Sequence, residues 1–559
     1  MSHLPRLTGE GRGRSIALVA ALALGQAAAA GIAAFATRDV FAAFSDSLAE
    51  LPLIALGLVA AAGLAIALLR VAERVVAERV GQNYAASLRL KLFSHLTEMS
   101  ARAVAERRSG ALAMRFVGDL AAVRGWVSLG IARLISAGIV LPAAGAVLFL
   151  LNPNLALAAG IPIVAGLGLM ALTGPRLGPA HRRLRARRAR LAADMSERIP
   201  HAPELRLLGR IDTERAHLLR RTEKLVASAL ERARGAALLR AVPDAASGLA
   251  AASLFFMALR SGAPAAEAAG SLAAVGLTIQ PMRDLAGVWD KNRAWIAARD
   301  KCEALLASPK LKHRRRKGRA PLPEAPLALR FESVCAGSLK TVDIAAAAGQ
   351  KIAIVGGNGA GKSTLINLAA GLEQPAEGQV TLGGRAPGSL SAPERRRIIA
   401  LVGVRSPILA GSLRRALTMG VARRPDDAAI LNCAETFGLK EVIARLGGLD
   451  GRLAEGARNL SAGEARRVLL TRAALSSPKL MLLDEPDDAL DADGPALVEA
   501  LVRDSEATTL VITHNLALAR RMDQLWYLED GRIVEAGPPE QILTGDGPTV
   551  RFFAPRPAA

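Results

Sequence analysis

The stretch Gly356-Gly-Asn-Gly-Ala-Gly-Lys-Ser-Thr364 decides how the C-terminal half of this sequence folds. An apolar segment, Lys351–Val355, precedes it, and a helix-forming segment, Leu365–Ala370, follows it. Strand, GxxxxGK[ST] loop and helix in this order predict a phosphate-binding loop, because glycines let backbone N–H groups turn towards phosphate oxygens and the helix N-terminus attracts the same anion. The predicted nucleotide-binding residues of the loop are Gly356, Gly357, Asn358, Gly359, Ala360, Gly361, Lys362, Ser363 and Thr364.

A second apolar segment, Lys479-Leu-Met-Leu-Leu-Asp-Glu-Pro486, ends in two acids. Asp484 is placed to hold Mg²⁺ together with Ser363 of the loop, and Lys362 is placed to reach the β- and γ-phosphates. Glu485 follows at once and is placed to polarise the attacking water. The pair of motifs predicts ATP and Mg²⁺ as ligands, with Ser363 and Asp484 on the metal.

Three shorter motifs make the interpretation more specific. Leu460-Ser-Ala-Gly-Glu464 lies between the two segments, and Ala489-Leu-Asp491 and Thr513-His514 follow them. In this order the motifs resemble the nucleotide-binding domain of ATP-binding cassette (ABC) transporters over about residues 327–543. With the apolar N-terminal half, the resemblance extends to the fused permease–ATPase exporters, in which one chain is half a transporter.

The resemblance implies a head-to-tail dimer. In that arrangement Ser461 and Gly463 of one chain complete the ATP site of the other, and Asp491 lies at the seam. His514 would sense the γ-phosphate beside Glu485, which makes Glu485, His514 and Lys362 the expected catalytic residues. The partner would be a second copy of this chain or a related half-transporter.

The sequence departs from the family pattern at three places. Val404 stands where the family has a glutamine that contacts Mg²⁺ and the transmembrane helices, and valine offers neither a metal ligand nor a hydrogen bond. Residues 332–343 contain no aromatic ring to stack on adenine, which leaves the choice between ATP and GTP open. The usual LSGGQ is LSAGE, with Ala462 and Glu464. Because Lys362 and the acids remain, we still expect hydrolysis.

The N-terminal half contains apolar segments long enough to cross a membrane, which takes about 20 residues. Four meet that demand well and two alanine-rich segments less well, so that six spans are the best count: Ser15–Thr37, Leu51–Leu69, Leu129–Leu151, Asn154–Gly174, Leu238–Leu259 and Pro264–Met282. The first also resembles a secretory signal peptide, but its apolar run exceeds the usual h-region, which favours an uncleaved span.

Arginines concentrate in the N-terminal segment and in alternate connections, 70–124 and 176–234. Cytoplasmic loops carry such an excess, so both termini and the ATPase domain are expected in the cytoplasm of a multi-pass cell-membrane protein. Leu88, Leu92 and Leu96 recur at helical spacing in the first connection. Both connections are therefore interpreted as spanning helices extended into the cytoplasm; amphipathic helices lying on the lipid membrane are the alternative.

The remaining composition fits this organisation. The basic residues behind the net charge of +22 cluster in the connections between apolar segments, so nucleic-acid binding is not expected. The three cysteines form no CxxC pair. We predict an all-α membrane domain of six helices over residues 1–308, a linker over 309–326, and an α/β P-loop NTPase domain with a helical subdomain over 327–559.

The predicted function is ATP-driven export by a dimer. The spans hold almost no ionisable residue at midplane, and their few polar candidates suggest an apolar cavity for a hydrophobic or amphipathic, small-molecule or lipid-like substrate: Gln26, Ser136, Ser247, Thr278 and Gln280. A degenerate regulatory subunit, suggested by Val404, is the alternative. A DNA-repair or translation ATPase disagrees with the spans, and importers usually keep the two parts on separate chains.

Overall fold

The computed structural model describes residues 4–45, 51–107, 109–311 and 322–554. The chain separates into two compact units, one of residues Met1–Thr97 and Arg107–Ser308, the other of Glu98–Glu106 and Pro309–Ala559. The last division falls after Ser308, and the segment Glu98–Glu106, which lies inside the predicted membrane domain 1–308, belongs to the second unit. The domain boundaries stay a prediction. Most of the predicted linker, residues 312–321, lies outside the described residues.

The first unit is built of helices alone in its described part. Short π-helical or 3₁₀ turns, at Arg115–Asp119, Trp126–Ile131, Gly174–Leu177 and Ile199–His201, join several of them. The α-helices are α1 (Arg12–Ser45) and α2 (Leu53–Thr97), then, after α3 of the second unit (Ala101–Ala105), α4 (Ser109–Met114), α5 (Leu120–Gly125), α6 (Ala132–Leu151), α7 (Pro153–Thr173), α8 (Gly178–Arg198), α9 (Ala202–Leu207), α10 (Ile211–Ser261) and α11 (Ala265–Leu306).

Among the described residues, five continuous helical segments are long and apolar enough to cross a membrane. They contain four of the first five predicted spans in full and the second, Leu51–Leu69, from Leu53 onwards. They are Arg12–Phe44, Leu53–Thr97, Leu112–Leu151, Pro153–Leu207 and Ile211–Ser261. The sixth predicted span lies in α11, a helix of 42 residues that is not apolar enough to join them. The sixth span therefore stays a prediction.

The interpretation of the basic connections as helices is confirmed. α2 runs unbroken through the first 28 residues of the 70–124 connection, and α8 and α10 account for most of 176–234. The connection between α6 and α7 is short. Asn152 alone separates α6 from α7 and caps α7 by accepting N–H bonds from Asn154 and Leu155.

Small residues let the helices of this unit approach closely. Gly166 of α7 faces Ala246 of α10, and a Cβ at position 166 would lie 2.8 Å from the Ala246 Cβ. Alanines fill much of the shared core, where Ala159, Ala250 and Ala274 are fully buried. Membrane helix interfaces favour such residues because backbone contact replaces the hydrophobic effect that is absent in lipid.

The second unit is α/β. Its strands are β1 (Leu329–Ala336), β2 (Leu339–Ala346), β3 (Lys351–Gly356), β4 (Glu377–Leu382), β5 (Ile399–Val402), β6 (Gly411–Ser412), β7 (Arg452–Leu453), β8 (Leu480–Asp484), β9 (Thr508–Ile512), β10 (Gln524–Glu529) and β11 (Arg532–Gly537). Its remaining helices are α12 (Lys362–Ala369), α13 (Ala392–Ile398), α14 (Leu413–Thr418), α15 (Asp427–Thr436), α16 (Lys440–Leu446), α17 (Ala462–Ser476), α18 (Gly494–Asp504), α19 (Leu516–Arg520), α20 (Pro539–Ile542) and α21 (Pro548–Phe553).

A six-stranded sheet in the order β11-β10-β3-β9-β8-β5 forms the centre of this unit, parallel except for β11. Alternate residues of each central strand enter the two cores on opposite faces. Ile352 and Ile354 of β3 join one core, and Ala353 and Val355 join the other. This burial on both faces explains why β3 and β8 are continuous apolar runs in the sequence.

A separate apolar cluster lies in α14–α17, with Leu413, Leu417, Ile430 and Val442 fully or almost fully buried. These helices correspond to the helical subdomain predicted from the resemblance. A three-stranded antiparallel sheet, β2-β1-β4, covers one core. The segment Glu98–Glu106 packs here as well, because the Ala101 N–H donates to the Leu372 carbonyl at 2.9 Å.

Candidate nucleotide site

The predicted phosphate loop connects β3 to α12. Two of its glycines occupy positions that a side chain would not tolerate. Gly356 has φ +149°, and a Cβ there would lie 2.1 Å from the Leu528 carbonyl oxygen; at Gly361, with φ +112°, a Cβ would lie 2.5 Å from Leu339. The loop therefore folds tightly between the sheet and the β2 hairpin, and α12 begins directly at Lys362.

Lys362 is the charged group of the loop, only 7% exposed. Its ammonium donates to the carbonyls of Gly356, at 2.6 Å, and Gly357, at 3.0 Å. Burial lowers the pKa of Lys362, while Glu485 and Asp484 act in the opposite direction. The ammonium group is thus held inside the loop, where a bound anion would provide a negative counter-charge.

The two predicted acids lie at the end of β8, beside the ends of β3 and β9. Asp484 is in register with Ile512, the last residue of β9, and Ile512 is in register with Ile354. Because parallel strands present their carboxyl ends at one edge of a sheet, residues that follow β3, β8 and β9 meet there. This topology brings together the phosphate loop, Asp484, Glu485 and His514.

Asp484 accepts a hydrogen bond from the side chain of Ser363. Burial raises the pKa of Asp484, and the bond from Ser363 and the charges of Lys362 and Arg466 oppose that rise. A hydroxyl and a carboxylate side by side in a buried setting are the oxygen ligands that Mg²⁺ takes in nucleotide sites, where phosphates and waters complete its shell. The two residues predicted to hold the metal therefore fit it.

Glu485 and His514 form a pair at the same edge. The His514 Nε2 lies 3.3 Å from the Glu485 carboxylate, and both side chains are partly exposed. Glu485 itself has φ +50° and donates its N–H to the Ile512 carbonyl at 3.0 Å. This bond fixes the turn after β8, so that the carboxylate leaves the strand towards the histidine.

The LSAGE motif caps α17. Ser461 accepts the Glu464 N–H at 3.1 Å, and the Glu464 carboxylate accepts the Ser461 N–H at 2.8 Å, a reciprocal capping box. Arg445 of α16 donates two bonds to the same carboxylate, at 2.9 and 2.8 Å. The pKa of Glu464 is lowered, chiefly by Arg445. The negative charge that distinguishes LSAGE from LSGGQ is thus neutralised within the chain.

Ser461 and Gly463 do not meet the phosphate loop of their own chain in any hydrogen bond of the described residues. The motif instead contacts the segment after β8: a Cβ at Gly463 would lie 3.0 Å from the Ala489 carbonyl, and Arg467 of α17 donates to Asp491 at 2.7 Å. Asp491 is otherwise largely exposed. These predicted nucleotide-binding residues form a second, separate group on the surface.

Val404 lies two residues after the end of β5. At the preceding residue, Gly403, a Cβ would lie 3.2 Å from the Asp484 Cβ. The position is therefore close to the predicted metal ligand. The valine side chain is 72% exposed, an unusual setting for a β-branched apolar residue. Ser406 holds the turn by accepting the Gly403 N–H at 3.0 Å.

Two family models match the chain. The model described as ABC transporter transmembrane region matches residues 15–262, and the model described as ABC transporter matches residues 339–488. Their order repeats the two units of the structure. The chain belongs to the ABC transporter family. Members of this family hydrolyse ATP and couple that reaction to transport.

Curated relatives match about half of the chain. The mycobactin import ATP-binding/permease protein IrtB of Mycolicibacterium thermoresistibile is 34% identical to this ABC transporter chain over 285 residues, 49% of this chain and 48% of that protein. The ATP-dependent lipid A-core flippase of Ralstonia nicotianae is 30% identical over 292 residues, 50% of this chain and 48% of the flippase. The matched stretch thus spans about half the length of these relatives.

Among solved structures, a bacterial Atm1-family ABC exporter with ATP bound superposes with a TM-score of 0.81 at 21% identity. The match covers 97% of this ABC transporter chain and 98% of the exporter. The predicted fold, a helical membrane domain followed by an α/β nucleotide-binding domain, is therefore confirmed over nearly the whole length.

Two groups beside the site were not singled out from the sequence. Arg445 lies 19 residues before Glu464 in another helix, and nothing in the spacing indicates their contact. Phe552 of α21 lies 5.7 Å from the His514 ring, measured between centroids, and packs edge-on against Tyr527. The packing of α21 against His514 and Tyr527 is a tertiary contact that no local sequence pattern indicates.

Proposed function

We propose that this ABC transporter chain is one half of an ATP-driven exporter and that its second unit hydrolyses ATP. The observation that carries the proposal is the convergence of Lys362, Asp484, Glu485 and His514 at one edge of the central sheet. Phosphoryl transfer depends mainly on positioning and charge stabilisation, and these residues supply both.

Each residue has a distinct task in this proposal. The loop amides and Lys362 bind the phosphates, and Ser363 and Asp484 hold Mg²⁺, which would neutralise charge on the phosphate oxygens. Glu485 accepts a hydrogen bond from the attacking water and orients it towards the γ-phosphorus. His514, which lies 3.3 Å from Glu485, holds that carboxylate and contacts the γ-phosphate. The products are ADP and inorganic phosphate.

The active assembly in this proposal is a dimer, of two copies or of this chain with a related half. Its support is the separation of Ser461 and Gly463 from the phosphate loop of their own chain, together with the exposed N-terminus of α17, which offers N–H donors to an anion. ATP bound between two chains would stabilise their association by mass action.

In this proposal, both termini of the chain and the long helical extensions of the membrane domain lie in the cytoplasm. Its support is the arginine-rich sequence of the connections 70–124 and 176–234, whose described residues are mostly helical. The proposed direction is export of a hydrophobic or amphipathic substrate. One relative is named as a lipid A-core flippase and another as a β-(1→2)glucan exporter, although IrtB is named as an importer.

Two substitutions test the hydrolytic assignment. Lys362→Ala removes a phosphate contact, so ATP binding itself is expected to weaken. Glu485→Gln keeps the shape and removes the carboxylate, so ATP still binds while turnover falls about 10²–10⁴-fold. Phosphate release by the reconstituted full chain measures turnover, and equilibrium binding of labelled ATP measures affinity.

Asp488→Asn is the matched control, since Asp488 is an exposed acid three residues beyond Glu485. It is expected to leave turnover within about twofold of the unchanged chain. Unchanged turnover in Glu485→Gln would refute the role of Glu485. A chain that binds ATP but shows no turnover even before substitution would instead support the second candidate, a regulatory subunit, which the exposed Val404 beside the metal ligand favours.

A further inference from the structure

A cavity of about 250 Å³ lies within the membrane unit, among α1, α2, α11 and the segment from the Trp126–Ile131 turn into α6. Part of its lining is apolar, formed by residues such as Ile66, Ala132, Val140 and Leu277. The rest is polar and charged, and its members are Gln26, Arg70, Glu73, Arg74, Ser128, Arg133, Ser136, Gln280 and Asp284.

This lining corrects the expectation of an apolar cavity. Gln26, Ser136 and Gln280 face the cavity as polar candidates should, but charged residues from the ends of the spans join them. The helices continue beyond the apolar segments, so their first charged turns pack together and line one space. Thr278 is buried and donates to the Val275 carbonyl, and Ser247 bonds within its own helix.

The carboxylates of the cavity already have partners. Glu73 accepts hydrogen bonds from Gln26 and, at 3.4 Å, from Ser136. Asp284 pairs with Arg133 at 3.2 Å. Gln26 and Ser136 are neutral, so Glu73 keeps its charge, whereas Arg133 neutralises Asp284. Arginines nevertheless outnumber acids, five to three, around this cavity and the cleft that adjoins it.

Two arginines are left without such a partner. An adjoining cleft of about 380 Å³ shares Arg133 and Asp284 with the cavity and adds Arg240 and the ion pair between Arg283 and Asp244. Within the described ranges, neither Arg70 nor Arg240 has a carboxylate within 4 Å. Both are exposed to the open space. The cavity and the adjoining cleft thus offer two guanidinium groups without an ion-pair partner, one in each, and the cavity adds apolar lining residues.

We propose that this cavity binds an amphipathic anion, a molecule with an apolar body and a phosphate or carboxylate group. Guanidinium groups recognise both anions through paired N–H donors, and the apolar lining residues would take the hydrocarbon part. This inference rests on the proposed export function and narrows its substrate class. Arg70 and Arg240 are the residues that determine specificity for charge.

The test is a binding measurement without nucleotide, so that it does not depend on hydrolysis. The full chain is placed in nanodiscs of phosphatidylcholine, and binding of radiolabelled dodecyl phosphate is measured above that of empty discs. Dodecylglycerol and dodecyltrimethylammonium serve as neutral and cationic competitors with the same chain. Dodecyl phosphate is expected to bind about tenfold more tightly than either competitor. A hydrogen bond to a charged group contributes about 1.4 kcal/mol more than a neutral one, which corresponds to about a tenfold difference in affinity.

Arg70→Gln and Arg240→Gln are each expected to weaken dodecyl phosphate binding about tenfold, while Arg70→Lys retains most of it. Arg79→Gln is the matched control, an exposed arginine of α2 that does not line the cavity. Discs that also contain phosphatidic acid identify the source of the anion. Competition by that lipid assigns a membrane lipid, and unchanged binding assigns a water-soluble amphipath.

Equal affinity for the three amphipaths would overturn the proposal. So would an equal loss in Arg79→Gln, which would mean attraction by the basic surface in general, or full binding in both glutamine variants. Arg70→Lys provides a folded reference if a glutamine variant does not assemble. ATP turnover measured on the same discs reports separately on the proposed hydrolysis, because a failed binding test leaves that reaction unaffected.

Discussion

The contact between Arg445 and Glu464 predicts a specific pattern of substitution effects on ATP use. Arg445→Met removes both guanidinium bonds to the Glu464 carboxylate and leaves the capping box of α17 in place. The carboxylate then keeps its full charge at the helix N-terminus. In the proposed dimer this end of α17 faces the γ-phosphate bound to the other chain, so the two negative charges repel.

The size of the effect follows from the electrostatics of a partly exposed site. The Glu464 side chain is about one-fifth exposed. At a separation of about 8 Å and an effective dielectric constant of about 40, two unit charges repel by about 1 kcal/mol. That free energy corresponds to about a fivefold rise in the ATP concentration for half-maximal turnover. Glu464→Gln alone should change little, because glutamine also completes a capping box.

The assay is turnover against ATP concentration for the reconstituted full chain, with the two single variants and the double variant. Adding Glu464→Gln to Arg445→Met is expected to restore half-saturation to within about twofold of the original value, since no charge is left to neutralise. Lys440→Met is the control: Lys440 lies on the same helix and pairs with Glu435, away from the motif. A double variant as impaired as Arg445→Met alone would refute the reasoning.

Two further predictions concern other departures and contacts. Val404→Gln restores a metal-ligating side chain one residue beyond Gly403, beside Asp484, and should raise the ratio of substrate-stimulated to basal turnover; a coupling free energy of 1–3 kcal/mol corresponds to about a 5–150-fold effect. An unchanged ratio would mean that this loop is not the coupling point. Phe552→Ala removes the ring packed on His514 and should lower turnover at saturating ATP about tenfold, whereas Phe553→Ala should not. Equal losses would indicate a general effect on the core.

The sequence was sufficient for the parts of the site that depend on local order along the chain. The phosphate loop follows β3 directly, and the acids follow β8, so a strand and a few residues define each position. The long helices were equally predictable, because leucines at helical spacing continue past the apolar part of α2. The turn at Asn152 is indicated by a polar residue and a proline between two apolar segments.

What the sequence did not disclose depends on packing between distant elements. The cavity was expected to be apolar because each span was judged alone. Arg70, Arg133 and Asp284 each lie near the end of an apolar segment, where a charge is unremarkable, and only the packing of α2, α6 and α11 places them around one space. The pairing of Arg445 with Glu464 was hidden for the same reason, since α16 and α17 meet through their fold.

The departures from the family pattern differ in whether the structure compensates for them. The charge of Glu464 is matched by Arg445, and the capping box keeps Ser461 at the start of α17, so the proposed contact with the other chain's nucleotide survives the change. Val404 has no such substitute: it is largely exposed, it follows the Gly403 that approaches Asp484, and its side chain can neither coordinate a metal nor donate a hydrogen bond. The groups expected to break the phosphate bond are all in place at the sheet edge. Of the departures at Glu464 and Val404, only the one at Val404 is left without a compensating group, so we expect it to affect the step that links hydrolysis to the membrane helices, and Val404→Gln addresses that step directly.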